Sequence, residues 1–154
     1  MSSDYETDVS PNSSLEMEDD EEYKKQLALF TSCSTEKGIE LVKVGEVISS
    51  LRHRRRFLDV GAGGGDLTIP ISQSFTETTV VEPNAQQAAF FRRRCPDFTI
   101  YNHSWEDVDP GSGLFDFILC SHVLYYIAEG RWLNMINKMH LHLEDGGCIA
   151  IVLQ

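Results

Sequence analysis

Several things are scarce in this 154-residue sequence, and each scarcity closes a route. No apolar run reaches the roughly 18 residues that a membrane span needs, so no transmembrane helix is expected. The N-terminus has no basic stretch followed by an apolar one, so a secretory signal is not expected either. Cysteines are few, at Cys33, Cys95, Cys120 and Cys148, and none is spaced C-x-x-C. A zinc knuckle and a dithiol redox motif are therefore not expected. Cys120 and Cys148 sit in apolar, strand-like runs, where a free thiol behaves as a small hydrophobe. A reduced, cytoplasmic protein is the simplest expectation. His140 and His142 stand two residues apart on a helical pattern and so do not share a face. No other grouping has metal-ligand spacing, and no metal is expected.

Positive charge is missing from the first 22 residues, which hold nine acids and no Lys or Arg. The whole chain has a formal net charge of -11, so the part after residue 22 is nearly balanced. Residues 1–22 also lack the apolar side chains that would offset the entropy of ordering, and a disordered acidic tail is expected there. Clustered positive charge is what phosphate backbones require. Only Arg52–Arg56 and Arg92–Arg94 offer it. Both read better as solvated ends of elements, and no nucleic-acid partner is expected.

What remains is one domain, residues 23–154, made of a helical region 23–51 and an alternating core 55–154. Leu27 and Phe30 begin the helical pattern, and Leu41, Val44, Ile48 and Leu51 continue it at three- and four-residue steps. Residues 32–35 break it, with Ser34 or Thr35 capping the second helix. Strands are expected at Phe57–Val60, Thr79–Glu82, Phe98–Asn102, Phe115–Cys120 and Cys148–Leu153. Helices are expected at Leu67–Phe75, Ala85–Cys95 and Glu129–Leu143, the last stopped by a turn at Glu144–Gly147. Alternation of this kind implies an α/β, doubly wound, mostly parallel sheet of about five strands with helices on both faces. Ligands on such sheets bind beyond the carboxyl ends of the strands, where the strand order reverses.

The first strand runs into Asp59-Val60-Gly61-Ala62-Gly63-Gly64-Gly65-Asp66. Glycine at alternate positions lets the chain turn tightly and approach a ligand. A dinucleotide fingerprint wants a third glycine where Asp66 stands. That carboxylate would repel a pyrophosphate, and a cationic cofactor with an amino-acid tail fits better. Asp59 can receive an ammonium group; its structural alternative is a cap for the loop. Glu82 closes the second strand, where a carboxylate accepts both hydroxyls of a ribose. Ser104 and Trp105 follow the third strand. Trp105 either flanks an adenine ring or is local core, and the sequence leaves the two even. Ser121 and His122 follow the fourth strand, at the carboxyl edge where a ligand would react, though His122 also suits a helix start.

The run from Phe57 to Leu153 resembles the class I S-adenosylmethionine-dependent methyltransferase core. The likeness rests on the acid plus G-x-G-x-G, on Glu82, and on the Leu143-Glu144-Asp145-Gly146-Gly147 turn. Within that class it is most similar to the histamine N-methyltransferase family. The matching segments are Val80–Gln87, Val123–Ile127 and Ser34-Thr35-Glu36. The resemblance implies S-adenosyl-L-methionine as cofactor, held by Asp59, Gly61, Gly63, Gly65, Glu82, Gln87, Ser104, Trp105 and Ser121. It implies that Glu36 and His122 face a small-molecule amine, with no membrane partner and a monomeric protein. No covalent catalyst is implied. The final antiparallel strand pair of the class is absent, so a truncated chain with a bare sheet edge is expected. Two other readings stay open: a cofactor-binding but inactive chain, and a nicotinamide-dependent oxidoreductase, against which Asp66 counts.

Overall fold

The computed structural model describes residues 35–153. The expected acidic tail, the helical stretch around Leu27 and Phe30, the Ser34 cap and Cys33 lie outside the described residues. The chain divides into two compact units, residues 1–39 and 40–154. Helix α1 (Thr35–Ser50) begins in the first and continues into the second. Leu41, Val44 and Ile48 are buried along one face of it, as their spacing predicts. The Ser49 and Ser50 hydroxyls donate back to the carbonyls of Gly45 and Val47 in its last turn.

Five strands follow: β1 (Arg56–Val60), β2 (Glu77–Val81), β3 (Thr99–Tyr101), β4 (Phe115–Ser121) and β5 (Leu143–Val152). They pair in the order β3-β2-β1-β4-β5, and every pairing is parallel. Helices α2 (Thr68–Ser72), α3 (Ala85–Arg94) and α4 (Glu129–Leu141) connect them. Short 3-10 turns lie at Trp105–Asp107 and Leu124–Tyr126. This is the doubly wound α/β sheet expected from the sequence. Among the described residues, no helix is long and apolar enough to cross a membrane.

The central strands are apolar on both sides because both sides are covered. On one, Leu58, Val60, Val81, Ile118 and Cys120 form a buried cluster with Met135 and Met139 of α4. On the other, the rings of Phe57, Phe75 and Phe117 stack at centroid distances of 5.3–6.0 Å. Each fully buried Phe contributes about 1.5–3 kcal/mol. The buried Asp116 carboxylate accepts the backbone N–H groups of Arg55 and Arg56, fixing the start of β1 against β4.

Several boundaries differ from expectation, and three of them have a clear local reason. The helix expected at Leu67–Phe75 spans only Thr68–Ser72. Beyond it the Ser74 and Phe75 amides bond three residues back, to Ile71 and Ser72, and tighten the chain into turns. Helix α4 stops at Leu141 because the His142 carbonyl accepts the Phe115 amide, which draws the chain into the sheet. The turn expected at Glu144–Gly147 is a bulge inside β5. Phe115 pairs with Leu143 and Phe117 with Cys148, so β5 carries extra residues between them.

Candidate functional site

The strand order doubles back at β1. The chain moves from β1 outward to β2 and β3, then returns to place β4 on the other side of β1. The carboxyl ends of β2, β1 and β4 therefore lie side by side, and the candidate residues stand on them.

The β1 end supplies the glycine loop. Gly61, Gly63 and Gly65 all have positive φ, between 57° and 85°. Two of the three also face protein. A Cβ on Gly61 would lie 2.3 Å from a Val123 methyl, and one on Gly65 would lie 3.0 Å from the Phe91 ring. The Gly61 contact brings the loop after β4 against the loop after β1. Gly63 and Gly64 are different. Among the described residues, a Cβ on Gly63 would find only Gln87 Oε1, at 3.8 Å, and one on Gly64 nothing within 4 Å. The described residues leave that stretch of backbone open to approach.

Glu82, at the β2 end, closes over this loop. It is buried, and its Oε2 accepts the Gly63 amide at 2.7 Å while Oε1 accepts the Asn84 amide at 2.8 Å. Each carboxylate oxygen has a second lone pair, so two hydroxyl donors can still be accepted. Asn84 then caps α3, its side chain accepting the amides of Gln86 and Gln87. This cap sets Gln87 at the start of the helix, next to Gly63. Asn102 braces the corner from the β3 end by donating to the carbonyls of Glu82 and Pro83.

Asp59 lies beneath the loop. It is 2% exposed, and the Thr68 hydroxyl donates to its Oδ2 at 2.7 Å. Burial pushes its carboxyl up to about 7; the Thr68 bond opposes this and the neighbouring Glu82 charge adds to it. The same burial, with Asp59 nearby, pushes the Cys120 thiol up to about 12, so it is an inert core group. The Glu82 carboxylate, joined by Asp59 when it ionises, gives the site a negative field. That field suits a cationic ligand and disfavours a pyrophosphate.

The β4 end contributes Ser121 and His122. Ser121 Oγ is buried with no hydrogen-bond partner among the described residues. His122 has φ of 56°, rare for a residue with a side chain, and its Nε2 lies 2.5 Å from Glu40 Oε1. An orphaned hydroxyl, an open glycine backbone and a carboxylate with spare lone pairs are together what an adenosyl sulfonium with an amino-acid tail would need. The residues present fit that group.

A family model described as a methyltransferase domain matches residues 24–154. The chain belongs to this methyltransferase family. An uncharacterized methyltransferase of Synechocystis sp. is 31% identical over 100 residues, covering 64% of this chain and 46% of its own length. Among solved structures, Streptomyces venezuelae DesVI superposes with a TM-score of 0.66 at 21% identity, over 96% of this chain and 58% of its own. The sugar N-methyltransferase KedS8 from Streptoalloteichus gives 0.67 at 19%, over 98% and 57%. The amino pentose methyltransferase CalS10 from Micromonospora echinaspora, solved with SAM bound, gives 0.68 at 22%, over 82% and 54%. This methyltransferase domain thus spans about half the length of the proteins it matches.

Of the residues singled out in the sequence, Asp59, Gly61, Gly63, Gly65, Glu82 and Gln87 come together around one loop. Ser121 and His122 adjoin it through Val123. Trp105 requires a correction: it does not offer a ring face to an adenine. It is 3% exposed and its Nε1 donates to the Met135 carbonyl. The Lys138 ammonium lies 4.7 Å over its ring, and the His142 edge abuts it. It is core. Ser104 opens the 3-10 turn, and its hydroxyl donates to Asp107. Glu36 is exposed on the first turn of α1, in the first unit. The acid that reaches His122 is Glu40, one helical turn later, which the sequence reading missed. The i, i+4 step from Glu36 was the available signal.

Proposed function

We propose that this methyltransferase domain binds S-adenosyl-L-methionine across the ends of β2, β1 and β4 and transfers its methyl group to a nitrogen of a small amine. The observation that carries the reading is the Glu82 carboxylate, clasping Gly63 and Asn84 at the mouth of an open glycine loop. Glu82 would accept the ribose hydroxyls, with Gln87 beside it. Asp59 would supply negative charge toward the ammonium of the methionine end. Ser121 would find its missing partner on the same ligand. When bound, the cofactor supplies an already activated methyl group. The protein's share is then alignment and exclusion of water rather than covalent chemistry.

The acceptor class rests on two kinds of support. The Val80–Gln87 and Val123–Ile127 segments resemble histamine N-methyltransferases. Two of the superposed structures are a sugar N-methyltransferase and an amino pentose methyltransferase. The sugar N-methyltransferase and the histamine likeness favour a nitrogen of a small, polar molecule as acceptor, and a histamine-like amine is the narrower version. We take the protein to be a cytoplasmic monomer that acts without nucleic acid or membrane.

Calorimetry with S-adenosylhomocysteine and with NADH, followed by labelled methyl transfer to histamine and amino sugars, tests this. Saturable binding of the thioether alone, with label appearing on one amine, is expected. Binding of NADH instead would sink the cofactor assignment. Cofactor binding with no label on any amine would leave the second reading, a cofactor-binding but inactive chain.

A further inference from the structure

The Glu40–His122 pair is unlike the ion pairs elsewhere in the described residues. The remaining pairs stand on the surface or at strand starts, each with at least one side chain more than half exposed. Here the carboxylate is 15% and the imidazole 35% exposed. The ring is thus backed by a mostly buried acid and open on another side. Among the described residues, Glu40 Oε2 is buried with no hydrogen-bond partner, and the imidazole is the group that meets this carboxylate. His122 is also fixed from three other directions. Its backbone is held at positive φ, its amide donates to the Val152 carbonyl at 3.0 Å, and Tyr125 stacks on its ring with centroids 6.1 Å apart. Strained residues over-determined in this way gather at functional sites. The next residue, Val123, is the one that touches Gly61 of the cofactor loop.

A carboxylate can only accept, so the Nε2 facing it carries the hydrogen, and in the neutral ring Nδ1 then keeps its lone pair. We propose that Glu40 is a positioning residue that holds His122 in this tautomer, and that His122 Nδ1 takes the proton which methylation leaves on the acceptor nitrogen. In that step an N–H bond of the methylated, positively charged amine breaks and its electron pair stays on nitrogen. An Nδ1–H bond forms, and the imidazolium charge is met by the Glu40 carboxylate. Among the described residues, the titratable groups facing the ring are Glu40 of α1 and Tyr125 of the turn after β4. The inference rests on the function proposed above and adds the route of the proton.

The test uses the full chain, labelled with nitrogen-15, and the variants Glu40→Gln and Glu40→Asp. Ring nitrogen spectra of the unaltered protein are expected to show Nε2 protonated and Nδ1 bare. E40Q is expected to give a mixture of tautomers, and E40D to restore most of the original signal. Affinity for S-adenosylhomocysteine is expected to stay within about twofold in all three. With whichever amine accepts label, kcat of E40Q is expected to fall about tenfold or more, and its acid limb to move to lower pH. A ring protonated on Nδ1, an unchanged tautomer in E40Q, or an unchanged kcat with an unmoved acid limb would each overturn the proposal. If the unaltered chain fails to bind the thioether, the function proposed above falls instead, while the spectra still decide the tautomer.

Discussion

Asp59 and Glu82 are both buried acids at strand ends, yet their surroundings ask different things of them. Glu82 holds two amides and sits at the loop mouth. A charge-assisted bond is worth roughly 1.5–3 kcal/mol, so E82A is expected to weaken S-adenosylhomocysteine binding about 10- to 100-fold by calorimetry. Asp59 lies deeper, with its carboxyl raised from 3.8 to about 7. A raised folded-state value means that stability is fully present below pH 4 and is lost as pH rises through 7. The free protein should therefore melt at lower temperature at pH 8 than at pH 5, and D59N, which keeps the Thr68 bond, should lose less over that span. Parallel melting curves for the two proteins would refute the burial argument. If Asp59 also meets the ligand's ammonium, affinity should rise across the same pH interval in the unaltered protein alone. Both acids were legible in the sequence because each is adjacent to its structural cue, a strand end followed at once by glycine or by a helix cap. The Glu40–His122 pair was not, since 82 positions separate its members and only the fold brings them together. Trp105 was ambiguous for a related reason: whether an indole faces ligand or core depends on Met135 and Lys138, some 30 residues away.

At the scale of elements, alternation of strand and helix was readable throughout, and the errors fall where two elements compete for the same residues. Glu144-Asp145-Gly146-Gly147 has the composition of a turn, and locally it behaves as one, with φ of 80° at Gly146. Pairing with β4 nevertheless resumes on both sides of it. A Cβ on Gly147 would lie 2.8 Å from the Asp116 carbonyl, so the bulge presses directly on the neighbouring strand. The turn after β3 is held in a comparable way from outside. Lys138 of α4 donates to the carbonyls of Trp105 and Val108 at 2.6 and 2.5 Å and to that of Glu106 at 3.1 Å. Burial lowers its ammonium, while Asp109, Asp107 and Glu106 oppose that shift. W105A is expected to cost about 3–5 kcal/mol of stability, because it empties a core site and strands the Met135 carbonyl. W105F, which keeps most of the volume, should leave cofactor affinity within about twofold in calorimetry. A loss of affinity in W105F comparable to that in E82A would return Trp105 to the ligand site.

For the whole molecule, the question is what a bound ligand would join. The loop at 61–65, the Glu82–Asn84 corner and the Ser121–His122 turn extend from three adjacent strands, β1, β2 and β4. Those strands carry the most deeply buried side chains of the core, among them Phe57, Leu58, Val80, Phe117, Ile118 and Leu119. A ligand that bridges the three loops requires all three strands in register, so it binds the folded sheet and not the unfolded chain. Linkage then fixes the size of the effect: at a hundredfold excess over Kd the fold gains about 2.7 kcal/mol. For a chain of this length that is a rise in Tm of roughly 5–10 °C. S-adenosylhomocysteine is expected to produce it and NADH to produce none, read by calorimetric melting at equal ligand concentration. G61A offers an internal control. Its methyl would press on Val123 and sit at φ of 78°, separating the β1 loop from the β4 loop. The free variant should melt lower, and the same ligand concentration should shift it less, because the bridge between the loops is what the ligand completes. Full recovery of the shift in G61A would mean that the ligand engages only the β1–β2 side of the sheet.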